Sequence, residues 1–383
     1  MSGTLKVTTL QDGASSTANL TFDSSANATV GGTLAMASSF LRNRVINGNM
    51  VTDQRNAGAS VTPTNGSYTL DRWGCYAAGS ATGKYTVQQN AGSVTPPTGY
   101  KNYLGVTSTS AYSVAAGDIT SIYQIIEGYN VADLGIGSSS PATFTLSFWV
   151  RSSLTGTFSG AFKNGSTTRS YPFTYTISAA NTWEQKTVTV VGDTTGTWNT
   201  TNGQGLFALF SLGTGTTYST TAGAWAAGDY YAATGAVSVV GTSGATFYIT
   251  GVQLEVGTKA TPYEMQIYSD QLAQCQRYYT KLTSSSNFAT WGSSVVATSS
   301  TIQGASIRLP VTMRSNPTIT FATVRVYDGS SASAISSITS SFSGPEVLSF
   351  DAACSPAVLT AYRPGMIQSD NSTAGYIAAS AEL

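Results

Sequence analysis

Along 143–151, "TFTLSFWVR", Phe144, Leu146, Phe148 and Val150 alternate with Thr143, Thr145, Ser147, Trp149 and Arg151. A period of two puts one side chain in two on the same face, so this segment predicts a strand with one apolar and one mixed face. "WEQKTVTVVG" at 183–192, "GLFALFSLG" at 205–213 and "TFYITGVQLEVG" at 246–257 continue the pattern, and "KNGSTT", "GTGTT" and "GTSGA" between them supply turn chemistry. Many strands and few helical periods from Asn43 to about Gly257 predict an antiparallel β-sandwich of jelly-roll type over 43–258.

The pattern then changes. In "YSDQLAQCQRYYTKL", 268–282, Leu272, Cys275 and Tyr279 fall at i, i+3 and i+7, a single helical stripe. Ser269 is placed to cap this helix and Asp270 to face its N-terminal dipole. So short a stripe needs a neighbouring domain, or copies of itself, to be stable, and Leu272, Cys275 and Tyr279 are expected to pack at a domain junction or in an oligomer. Residues 259–286 are thus expected to form a linker carrying one short helix. Beyond it, Ile307, Leu309, Val311 and Met313 in "SIRLPVTM" alternate again, with Pro310 expected at an edge or bulge. "TITFATVRVYD" and "AGYIAASAEL" follow, so 287–383 is expected to be a second, smaller β-sandwich. The first 42 residues are Ser/Thr/Ala/Gly-rich, with short strands in "TLKVTTL" and "ANLTFD". A segment that small cannot bury a core alone and must fold against a partner or intertwine with copies of itself.

Composition narrows the function. Charged residues are only 9% of the chain, with 18 Lys plus Arg against 18 Asp plus Glu. A nucleic-acid or anionic-membrane partner needs a basic excess, which is missing. Near-zero net charge favours association, and a hydroxyl-rich surface or an oligomer answers that. No run of about 18 apolar residues suggests a membrane span. The first residues, "MSGTLKVTTLQDG", lack the apolar core of a signal peptide, so synthesis in a cytosol is expected. Cys75, Cys275 and Cys354 are too few and too irregularly spaced for a disulfide framework or a zinc site, and read as small buried residues.

Histidine is absent. That removes Ser-His-Asp and Cys-His catalysis and His-ligated zinc together. No phosphate-binding or dinucleotide-binding glycine motif occurs, so no cofactor or metal is expected. Paired carboxylates remain as a route to glycoside hydrolysis, with Asp118, Glu127, Asp133, Glu184 and Asp229 as candidates. No spacing nominates two of them, and caps and turns explain each. A binding surface is better signalled. Aromatics sit in small, polar loops, where sugar rings stack on Trp or Tyr and polar groups fix the hydroxyls. The candidates are Trp291, Tyr327, Asp328, Tyr362, Arg363, Asp370 and Asn371, with Trp225, Tyr230 and Tyr231 in "TAGAWAAGDYYAATG". The alternative is that Trp291 and Tyr327 point into the core and Arg363-Pro364-Gly365 is a turn.

"NRVINGNMVTDQRNAG" at 43–58 with "YTLDRWGC" at 68–75 resembles the start of a β domain of bacteriophage and prophage tail-fibre proteins, "NRIINGNF…QRG…YTADRW". "TFYITGVQLEVGTKATPYEMQIYSDQLAQCQRYY" at 246–279 resembles that family's domain junction, and "LPVTMRSNPTITF" with "YIAASAEL" its terminal β domain. The 43–258 domain also resembles carbohydrate-binding-module jelly rolls, through "FTLSFWVRSS" and "WEQKTVTV". The resemblance implies a virion fibre or spike, homotrimeric, with the 287–383 head toward the host. It gives no catalytic motif to carry over.

The function expected is therefore a non-enzymatic fibre subunit that binds a cell-surface glycan. Residues 1–42 would attach to other virion proteins, on tail, baseplate or capsid, and trimerisation would multiply weak sugar sites by avidity. A depolymerase-type tailspike using two carboxylates, and a purely structural decoration fibre, are the other readings.

Overall fold

The computed structural model describes residues 9–10, 20–22, 28–30 and 42–383. In the N-terminal unit, Thr9–Leu10, Leu20–Phe22 and Ala28–Val30 form a three-stranded antiparallel sheet. Most of "TLKVTTL", and the "GGTLAMASSFLRN" connector up to Leu41, lie outside the described residues.

The chain from Asn43 onward is nearly all β. Two sheets face each other. The larger runs in the order Ala226–Ala227, Arg169–Ile177, Gly156–Asn164, Gln204–Thr214, Ile119–Glu127, Trp73–Ala78 and Tyr68–Leu70. The smaller runs Glu184–Val191, Thr143–Ser152, Thr246–Val256, Leu104–Ser108 and Tyr85–Gln89. Phe144, Leu146, Phe148 and Val150 all point into the core between them, where they meet Phe158, Phe162, Phe210 and Phe247. Aromatic edges fill this space, with Phe148 against Phe210 at 4.9 Å and Phe144 against Phe162 at 5.1 Å. The strand Gln204–Thr214 is apolar on both faces for a structural reason. Leu206, Ala208, Phe210 and Leu212 line this core, while Phe207 and Leu209 belong to a second cluster on the sheet's outer face, with Tyr123 and Tyr231. In Thr246–Val256 the register slips between Thr250 and Gln253. Gly251 makes that bulge possible: its φ is +61°, and a Cβ there would lie 2.6 Å from the Tyr100 hydroxyl.

The single α-helix among the described residues is Tyr268–Gln276. It starts one residue before the predicted cap. Ile267 precedes it without a side-chain capping bond, so Ser269 lies inside the first turn. The buried stripe also differs from the expected one. Within the helix Gln271 and Cys275 are buried and Leu272 is half-buried; Tyr279 is buried as expected, beside Tyr278, but already belongs to a strand. The predicted stripe ran past the end of the helix, whose nine residues bury only Gln271 and Cys275, one turn apart.

The strand Tyr279–Thr283 pairs with Tyr376–Ser380, which pairs in turn with Thr318–Ala322. The C-terminal β structure therefore begins within the predicted linker. Its main body is a closed six-stranded barrel rather than a second sandwich: Thr290–Thr298, Thr301–Arg308, Val347–Ser355, Ala332–Ser341, Val324–Tyr327 and back through Pro364–Ser369. Closure leaves no free edge on a small sheet. "TITFATVRVYD" divides between the small sheet and the barrel, with Thr323 at φ 52° marking the break. Pro310 lies past the end of its predicted strand, which stops at Arg308. The barrel has its own core around Val296, Ile307, Val326, Leu348, Phe350 and Ile367, and Asn43–Leu383 nevertheless forms one compact unit. Cys75, Cys275 and Cys354 are all buried free thiols.

Candidate glycan-binding groove

At one edge of the sandwich the border strands Arg169–Ile177 and Glu184–Val191 come from opposite sheets. The loop carrying Trp225 closes this edge. Gly223 N–H donates to the Pro172 carbonyl, and Ala226–Ala227 adds to Arg169–Ile177 as a short strand. The Trp225 indole N–H then donates to the Val191 carbonyl of the other sheet at 2.8 Å. Trp198 is oriented in the same way, by a 3.0 Å bond to the Thr195 carbonyl. Because each N–H is spent on main chain, each ring plane is fixed. Trp225 stands edge-on to Tyr171 at 5.3 Å and to Trp198 at 5.4 Å.

Two hollows adjoin this aromatic cluster. One, of about 490 Å³, is lined by Trp225, Tyr171, Thr189, Val191, Arg169 and Asp193. The other, of about 540 Å³, is lined by Trp198, Ser166, Asn199, Thr201 and Gln204. Each is within the size range of small-ligand sites. The polar chemistry is fixed as well. Arg169 grips Asp193 with both prongs, Nε to Oδ2 at 2.5 Å and Nη2 to Oδ1 at 2.9 Å. Burial works against the ionised Asp193, but the bonds from Arg169 and Thr195 outweigh it and hold the carboxyl below its usual range. The same pairing holds the Arg169 guanidinium above its usual value. The hollow therefore offers an aromatic wall, threonine hydroxyls, and the partly exposed Arg169 guanidinium, held in place by the buried Asp193 carboxylate.

Of the sequence candidates, Trp225 lies in this groove. Tyr231 does not, being only 5% exposed and lying under the Lys163 ammonium. Tyr230 is half-buried, its N–H bonded to Ser170 Oγ. Tyr171, Trp198, Arg169 and Asp193 were not singled out from the sequence. Trp198, in "TTGTWNTTNG", carries the signature of an aromatic in a small, polar loop. Tyr171 and Arg169 gave no signal, because only the pairing of strands sets them beside Trp225.

The C-terminal candidates separate. Tyr327, Asp328, Tyr362 and Arg363 gather at one end of the barrel. Asp328 is a turn builder there: Oδ1 accepts the N–H of Ser330 and Ser331, and Oδ2 the N–H of Thr360. These bonds hold its carboxyl far below its usual range. Arg363 Nη1 donates to Ser330 Oγ at 2.7 Å, and Tyr362 stands 86% exposed beside it with φ 65°. Asp370 and Asn371 follow the far end of the strand Pro364–Ser369, about 20 Å along. Trp291 is half-buried against the barrel core.

The candidate acids each have their own partner. Asp118 accepts from the Tyr112 hydroxyl and from Ser80 and Ala115 N–H. Glu127 is bound by Arg277 and Tyr278, and Asp133 by Arg44. Glu184 is held by Lys186 and the N–H of Ser178 and Ala179, and Asp229 by Lys163.

The described chain is thus an all-β, two-sheet sandwich with an attached barrel and an aromatic edge groove. No family model matches it, and no curated protein does. Among solved structures it is similar to the enzymatically active domain of tailspike protein 4 of bacteriophage CBA120, at 12% identity over 57% of this chain and 22% of that one, with a TM-score of 0.30. A protein of Bacteroides thetaiotaomicron described as a putative sugar-binding protein matches at 13% identity over 56% of this chain and all of that one, TM-score 0.32. A family 11 carbohydrate-binding module from Clostridium thermocellum, in complex with a mixed-linked tetrasaccharide, matches at 12% over 51% and 96%, TM-score 0.25. Likeness at this level carries neither ligand nor assembly to this chain. Among the described residues no helix is long and apolar enough to cross a membrane.

Proposed function

We propose that this protein is a non-catalytic fibre subunit of a phage virion, assembled as a homotrimer, that attaches to a glycan on the host surface. The observation that carries the glycan part is the groove of Trp225, Trp198 and Tyr171 around the Arg169–Asp193 pair. Sugar rings present an apolar C–H face and a rim of hydroxyls. Fixed aromatic rings meet the first, and the Arg169 guanidinium, positioned by the buried Asp193, meets the second with the threonine hydroxyls around it. Two adjoining hollows suit more than one sugar ring. The virion and trimer parts rest on the sequence resemblance. Residues 1–42 would then be the attachment segment and 287–383 the head, with the exposed Tyr362 as a second contact. A binding role is favoured over hydrolysis because each candidate carboxylate is tied to a structural partner.

The test is a glycan array followed by calorimetry on the best ligand. Wild type should bind, and Trp225→Ala and Trp198→Ala should each weaken binding about tenfold or more, as loss of a 1.4 kcal/mol contact would. Sedimentation should give three chains per particle. A folded protein that binds no glycan sinks the proposal, and new reducing ends in host polysaccharide would favour the tailspike enzyme.

A further inference from the structure

Lys163 lies on Gly156–Asn164 with its side chain wholly buried on the outer face of the larger sheet. Its ammonium is 3.4 Å from the centre of the Tyr231 ring and 5.8 Å from that of Phe207. The carboxylate beside it is Asp229, which forms an ion pair with it. The backbone around Asp229 is pinned to the chain next to Lys163. Gly228 N–H donates to the Thr168 carbonyl, Ser170 Oγ donates to the Gly228 carbonyl, and Tyr230 N–H donates back to Ser170 Oγ. Tyr231 supplies a further group, its hydroxyl donating to Asp229 Oδ2 at 3.2 Å. Neither the fold nor the groove requires a lysine in this aromatic cage.

The wholly buried Lys163 charge faces a desolvation cost that its attraction to the one-third-exposed Asp229 only partly offsets. Converting both to neutral groups removes it. Burial already pushes the Lys163 ammonium down to about 8, against the raising effect of Asp229, so free amine is accessible near neutral pH. The reacting groups are also held together, which replaces a bimolecular encounter with a positioned one.

We propose that Lys163 and Asp229 join through an intramolecular isopeptide bond, Nζ to Cγ, which tethers the Trp225 loop to the larger sheet. A proton passes from the ammonium to Oδ1, giving amine and carboxylic acid. The Nζ lone pair attacks Cγ and forms the C–N bond. The Tyr231 hydroxyl stabilises the oxyanion that develops on Oδ2. The Cγ–Oδ1 bond then breaks, and that oxygen leaves as water with a proton from the nitrogen. Ammonium and carboxylate become one secondary amide and one water, with no change of oxidation state. The proposal is independent of glycan binding.

Intact mass spectrometry of the purified full chain tests it. Wild type should weigh one water less than its sequence. Trypsin should leave Lys163 uncut, within a branched peptide that fragments to place the link at Lys163 and Asp229. Lys163→Arg and Asp229→Ala should each show full sequence mass. The branched peptide from wild type decides the matter even if a variant folds poorly. Wild type at full sequence mass overturns the proposal, as does a water loss that persists in Lys163→Arg, since that would arise elsewhere.

Discussion

At the scale of the residue, the same side-chain type does opposite work according to its surroundings. Trp225 and Tyr231 stand six positions apart in one loop, yet one ring lines an open hollow and the other caps a buried lysine. Asp193 and Asp71 make a similar contrast. Arg169 and Thr195 hold Asp193 below its usual range, whereas burial lifts Asp71 to about 6 against the pull of Arg55 and the Gln54 donors. A folded value above the unfolded one, about 4, means that the ionised form is disfavoured in the fold. Stability from Asp71 therefore rises as pH falls from 7 through 6 toward 4.5, by about 2 kcal/mol. Carboxylates held low, such as Glu127 and Asp193, keep their contribution above about pH 4.5 and lose it only below. The urea midpoint should thus be higher at pH 5 than at pH 7, and Asp71→Asn should abolish the difference. An unchanged difference in the variant would show that another group titrates.

At the scale of the element, the helix Tyr268–Gln276 depends on what it touches. It has no side-chain N-cap and is only nine residues long, so intrinsic helicity cannot sustain it. Gln271 Nε2 donates to Asn47 Oδ1 and Asn49 Oδ1, and Cys275 is fully buried. Just beyond it, Arg277 grips Glu127 of the larger sheet with both prongs, and the Tyr278 hydroxyl donates to the same carboxylate. Arg277→Ala would leave Glu127, only 2% exposed, with one neutral donor. Losing a partner from a buried pair costs 3–5 kcal/mol, and because Arg277 is one-third exposed the expected loss is about 2 kcal/mol. Urea unfolding measures this, and an unchanged midpoint would mean that the helix is held by packing alone.

At the scale of the whole molecule, the stretches that carry the fibre resemblance converge on this joint. Asn47 receives the Trp73 indole N–H on its carbonyl, and Gln54 donates to Asp71 and to the Tyr279 carbonyl. Arg55 and Arg72, one from each N-terminal motif, both bind Glu382 near the end of "YIAASAEL". Arg72 is 1% exposed, with Tyr278 stacked 3.6 Å from its guanidinium carbon. Arg314 adds bonds to the Ala381, Glu382 and Asn202 carbonyls. The motif residues thus couple the small C-terminal sheet and the chain end to the sandwich. Glu382→Ala should cost about 3 kcal/mol by stranding a buried guanidinium. Deleting 287–383 should lower the melting temperature of the sandwich as well, followed by near-UV circular dichroism. A deletion that leaves the sandwich melting unchanged would show the two β bodies to be energetically independent.

The sequence by itself determined the β class, the inward face of Thr143–Ser152, the position of the helix and the burial of the cysteines. Each is a local consequence of periodicity or residue size, visible within one window of chain. It also marked Trp225 as an aromatic in a loop of small residues. Only the tertiary structure decided that the C-terminal strands close into a barrel, since closure depends on which distant strands pair. Likewise only strand order brings Arg169, Tyr171 and Asp193 to Trp225, and only burial makes Tyr231 a cap over Lys163. Those outcomes come from contacts between residues far apart in the chain, which leave no period in the sequence to read.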